Sequence, residues 1–172
     1  MSDAANDRPE WWAPGAVVPP GVRGYTREEA MASVGDGWRE LAAAGWDAAT
    51  AAGAKIVQTK EKFAHLRIYV RYDNPGDPVV TERLRRQLEA IERASALVCE
   101  ACGKPGRVWG ETDDERARIS AATGRRWIWL KALCAACGYR FYYQGARGWS
   151  EIRGEWRPDA DQDDIEPDAE PW

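Results

Sequence analysis

Two short segments constrain this chain more than any others: Cys99-Glu100-Ala101-Cys102-Gly103 and Cys134-Ala135-Ala136-Cys137-Gly138. A Cys-x-x-Cys turn lets two sulfurs converge on one ion, and a following glycine suits the tight backbone that aims amides at thiolates. Two such turns supply the four ligands of a closed tetrahedral site: Cys99, Cys102, Cys134 and Cys137. The 31 residues between Cys102 and Cys134 are long enough for a hairpin that brings the turns together. Structural Zn²⁺ is the expected ion, with iron in a rubredoxin-like centre as the sharper alternative. Two redox dithiols fit less well, because neither pair has the flanking context of a thioredoxin-like motif. With four protein ligands no position is left for a catalytic water, so the ion builds the fold and does no chemistry.

The remaining sequence can be divided around that module. Residues 1–24 read as a Trp/Pro-rich arm, because Pro9, Pro14, Pro19 and Pro20 break regular structure while Trp11 and Trp12 offer anchors. Thr26 and Glu29 form a capping box, so a short helix starts at Arg27. Gly35-Asp36-Gly37 interrupts it, and Asp36 is expected to cap a second helix that stops at Gly53. A short strand is predicted over 54–58, a connection over 59–63, and a longer strand over 64–72. Asp77 and Pro78 begin a long helix to about Leu97. Beyond the first cysteine pair, the pattern predicts a strand at 107–110, an acidic loop at 111–115, a hairpin around Thr123-Gly124 and a strand over 126–133. Edge strands are expected at 141–143 and 149–156. From Pro158 to Trp172 acidic residues and proline dominate, which reads as a disordered tail.

The expected fold class is therefore α+β: an N-terminal helix, a β-hairpin and a long helix joined to a four-cysteine zinc module of treble-clef or ribbon-like type. The domain is expected to span 25–157, with the module at about 98–143. Asp36-Gly37-Trp38, Lys60-Glu61-Lys62-Phe63, Leu66-Arg67, Cys99-Glu100-Ala101-Cys102-Gly103-Lys104-Pro105-Gly106 and Leu133-Cys134 together resemble a family of small bacterial and phage-borne proteins of unassigned activity. The resemblance spans about residues 36–137. It implies one unit of helix, hairpin, helix and zinc module, with glycine common at the position of Ala64 and histidine an alternative at that of Cys137. It transfers no catalytic residue.

Charge narrows the choice of partner. Residues 55–157 carry 20 basic and 13 acidic groups, whereas 158–172 carry 7 acidic groups and no basic one, so the net charge of −4 hides a basic body. On the longer strand His65, Arg67, Tyr69 and Arg71 alternate onto one face, and Lys60 and Lys62 precede them. Arginine with aromatics at this spacing suits phosphate and bases, although a helix could cover the face or water could simply wet it. Arg125 and Arg126 beside Trp127 and Trp129 are a second candidate, with core packing of the alternate tryptophans as the other reading. Nucleic-acid binding without catalysis is the leading expectation; a protein-binding adaptor or inhibitor using exposed Trp and the acidic tail is the alternative. No nucleophile–base pairing points to an enzyme. No apolar run is long enough to span a bilayer and Met1–Glu10 has no signal-peptide pattern, so a cytoplasmic location is expected.

Overall fold

The computed structural model describes residues 23–73 and 77–154; the arm before residue 23 and the acidic tail lie outside the described residues. Helix α1 (Arg27–Ala32) begins as predicted, with both halves of the Thr26/Glu29 capping box formed. A single 3₁₀ turn (Asp36–Trp38) then leads directly into α2 (Arg39–Ala51). Asp36 does not cap α2; its carboxylate instead pairs with Arg39 and Arg153.

Strands β1 (Lys55–Lys62) and β2 (His65–Arg71) form an antiparallel hairpin with an irregularity between Ile56 and Gln58. Residues 59–62 of the connection predicted over 59–63 are strand instead. The turn is only Phe63-Ala64, both with positive φ (53° and 63°), the two-residue geometry that matches the twist of paired strands. Neither residue is the Asn or Gly that usually announces such a turn.

Helix α3 (Pro78–Ser95) starts behind Asp77, whose carboxylate accepts from the Val79 amide at 2.7 Å. It packs on α2 and β2. Its buried face includes Leu84, with Leu88 and Ile91 partly covered, and the buried Ser95 hydroxyl accepts from the Leu66 amide at 2.8 Å. Gly45 lets α2 approach the hairpin: a methyl there would lie 2.3 Å from Ile68 Cδ1.

The second half departs from the sequence expectation. Strand β3 (Arg107–Trp109) pairs with β4, which is only Lys131–Leu133 rather than 126–133. Between them, the predicted acidic loop and hairpin are helix α4 (Asp113–Thr123). Thr112 caps it, Asp113, Asp114 and Glu115 fill its first turn, and left-handed Gly124 ends it. Carboxylates there complement the partial positive charge of a helix N-terminus. Helices α5 (Ala135–Tyr142) and α6 (Trp149–Arg153) replace the predicted edge strands; Trp156 lies outside the described residues. The described residues are thus α+β, with six α-helices and two two-stranded antiparallel sheets. No helix among them is long and apolar enough to cross a membrane.

Candidate metal centre and cationic face

Cys99 and Cys102 lie on a tight turn closed by an isolated bridge between Val98 and Pro105. The Cys99 amide donates to the Lys104 carbonyl at 2.8 Å, and the Gly103 amide to the Cys99 carbonyl at 2.8 Å. Gly103 has φ +77°, which glycine adopts without strain. The second pair is built differently. Cys134 is the N-cap of α5 and Cys137 sits in its first turn, so a turn before β3 and a helix start after β4 carry the four sulfurs. Gly138 is helical and serves packing: a methyl there would fall 2.2 Å from the Trp109 ring. That ring stacks on Tyr142 with centroids 5.7 Å apart and donates its indole N–H to the Leu133 carbonyl at 3.0 Å.

All four Sγ atoms lie within 4.8 Å of one another, and Cys102 and Cys134 are 3.7 Å apart. Four Zn–S bonds of about 2.3 Å, arranged tetrahedrally, put the sulfurs about 3.8 Å apart. A disulfide needs about 2.05 Å, and all four thiols are free. The donor set therefore fits one metal ion held by four sulfurs. Cys99 and Cys137 are buried; Cys102 and Cys134 are half-buried. The sulfurs are crowded enough to affect one another. Hydrogen bonding with Cys134 and then burial hold the Cys137 thiol protonated, while hydrogen bonds from Cys137 and Cys99 pull Cys134 towards thiolate. A cation is what would let all four carry charge together.

The metal turn is also the seat of the N-terminal half. The Gly37 amide donates to the Glu100 carbonyl at 3.0 Å, and a methyl on Gly37 would lie 1.9 Å from the Cys99 carbonyl oxygen. Trp38, fully buried, donates its indole N–H to the Val98 carbonyl at 2.8 Å. The Asp-Gly-Trp segment is thus a clamp on the cysteine turn, a role the sequence did not disclose.

Glu100, between the two cysteines of that turn, is also fully buried. Lys131 Nζ approaches its Oε1 at 3.0 Å and Glu61 Oε2 at 3.2 Å. Burial pushes the Glu100 carboxyl up to about 7, with Lys131 opposing. This triad ties the metal turn, β4 and the end of β1 together.

The cationic candidates divide into two groups. The register sets Lys60 opposite Arg67 and Lys62 opposite His65, with Tyr69 on the same face. Lys60 Nζ stands 5.0 Å from the Tyr69 ring centroid. Lys60 and Lys62 therefore lie on β1 itself and not in a loop. Helix α3 borders this face and the face is half-buried: Arg67 pairs with Glu92 at 2.6 Å, and the largely buried Arg71 with Asp73 at 3.0 Å. His65 Nδ1 lies 2.8 Å from the Phe63 carbonyl.

Arg125 and Arg126 have no hairpin tip to decorate. Arg125 donates to the Phe141 carbonyl at 3.0 Å and lies over the Phe141 ring, which fixes the α4–β4 link. Arg126 is exposed, and so are Trp127 and Trp129, which the core-packing reading had placed inside. No family model, curated protein or solved structure matches this chain.

Proposed function

We propose that this protein is a zinc-stabilised nucleic-acid-binding protein without catalytic activity. Zn²⁺ held by Cys99, Cys102, Cys134 and Cys137 fixes the architecture, as a closed four-thiolate site does. Reduced cysteines of this kind are at home in a reducing compartment such as the cytoplasm. The folded unit would extend over 25–157.

The observation that carries the reading is the grouping of Lys60, Lys62 and Arg67 with the Tyr69 ring on one face of the hairpin. Lys60 lies opposite Arg67, and Lys62 and Tyr69 share that face of the hairpin. Glu92 already pairs with Arg67, and the basic excess of residues 55–157 favours a polyanion at such a face. A phosphate backbone is the anion whose repeat matches a row of cations, and Tyr69 adds an aromatic surface among them.

Binding should weaken steeply with added salt, because each neutralised phosphate releases counterions. Changing Lys60 and Lys62 to Glu should weaken binding of a labelled oligonucleotide and flatten its salt dependence, with about one unit of log–log slope lost per contact. If zinc-loaded wild-type protein does not shift DNA or RNA at low salt, the reading is wrong.

A further inference from the structure

The cationic face ends at the Phe63-Ala64 turn, where the left-handed conformation is held by residues that do not favour it. Ala64 is buried there, but Phe63 projects a large apolar ring that is 63% exposed, with Lys62 Nζ 5.4 Å from its centroid.

Two further exposed aromatic rings, Trp127 and Trp129, lie on the segment leading into β4, which Glu61 ties to this turn. Glu61 joins the two: one oxygen accepts from the Ala64 amide at 2.8 Å and the other pairs with Lys131 at 3.2 Å. Leu130 packs on the cluster that contains Ala64 and Leu66. Just upstream, Trp127 is 84% and Trp129 74% exposed. Their backbone is nevertheless pinned. Ser120 donates to the Arg125 carbonyl at 2.7 Å, Ile128 packs into the metal-side core, and the Tyr142 hydroxyl donates to the Trp129 carbonyl at 2.5 Å. The core takes its tryptophans from elsewhere, Trp38 and Trp109 being buried. Fixed main chain with indoles in water is how a contact surface is presented, since little ordering remains to be done on binding.

We infer that Phe63, Trp127 and Trp129 form a stacking platform for unpaired bases, flanked by Lys60, Lys62 and Arg126 for the phosphates, so that the ligand is single-stranded nucleic acid. This rests on the nucleic-acid reading above and gives it a substrate class. In a duplex the base faces are stacked on one another and offer nothing to an exposed ring, whereas in a single strand each base presents a π-face. Lys62 beside the Phe63 ring, and Arg126 next to Trp127 in the chain, also distinguish these rings from a purely apolar protein-docking patch.

The test uses the full chain with its metal, a labelled thymidine oligomer of about 12 nucleotides, and a duplex of equal length. The single strand should bind more tightly and quench tryptophan fluorescence. Changing Trp127 and Trp129 to Ala should weaken it by about five-fold to 150-fold, the effect of losing one stacked base, with metal content unchanged. Phe63→Ala should act in the same direction. The inference is overturned if the double variant keeps wild-type affinity, if the duplex binds as tightly, or if polyglutamate of equal charge competes as well as the oligonucleotide. Loss on reversing Lys60 and Lys62 alongside an unaffected tryptophan variant would remove the platform and leave the cationic face. Absence of binding to either probe would remove both.

Discussion

Trp38 and Val98, 60 residues apart, are joined by an indole N–H that donates to a backbone carbonyl at 2.8 Å. The bond anchors the start of α2 to the entrance of the first cysteine turn. Trp38→Phe keeps an aromatic ring but leaves the Val98 carbonyl without this donor. Destabilisation of about 1–3 kcal/mol is expected, measured as a lower urea midpoint at unchanged m. An unchanged midpoint would show that the bond contributes nothing.

Metal removal should reach well beyond the cysteines, because Gly37 and Trp38 both bond to the first cysteine turn. Elemental analysis should find one zinc per chain. Chelation, or Cys102→Ser, should then abolish the near-ultraviolet signal of the buried tryptophans together with the metal, because site formation and folding are one equilibrium. A chelated protein that melts like the loaded one would refute this.

Lys131 faces two carboxylates, one of them wholly buried. Lys131→Met leaves the buried Glu100 carboxyl, already pushed towards its neutral form, without its cation and should destabilise by about 3–5 kcal/mol, whereas adding Glu100→Gln should recover a large part of that loss. A double-mutant cycle on thermal or urea unfolding measures the coupling. Strict additivity would mean that the ion pair is incidental.

Elements with their own local signals were legible in the sequence. The Thr26/Glu29 box and the Asp77-Pro78 start carried α1 and α3, and cysteine spacing alone carried the four-sulfur cluster. Helix α4 escaped because Ile119 is its one buried residue, so it has almost no apolar period to detect. Tyr139-Arg140-Phe141-Tyr142 has strand-like composition, yet Tyr142 and Gly138 fit against Trp109 only on a helix. There tertiary packing overrides propensity. The Asp36-Gly37-Trp38 clamp and the Glu61–Lys131–Glu100 triad depend on partners distant in sequence, which no local pattern reports.

The turn at Phe63-Ala64 offers a separation of stability from binding. Replacing it with Asn-Gly, residues suited to two positive-φ positions, should raise stability by about 1 kcal/mol, since left-handed backbone disfavours most side chains by about 1–2 kcal/mol each. The same change removes the exposed ring, so oligonucleotide affinity should fall while the melting temperature rises. A lower melting temperature would show that the turn is not strained.

The clamp on the cysteine turn also has a consequence for biosynthesis. Residues up to Val98 leave the ribosome before either cysteine pair, and the turn that seats Trp38 can close on a metal only after Cys134 and Cys137 have followed. The β1–β2 hairpin, α2 and α3 can find one another early, but their final docking must wait until nearly the whole body has been translated. Metal supply, rather than elongation alone, would then set when the newborn chain buries Trp38.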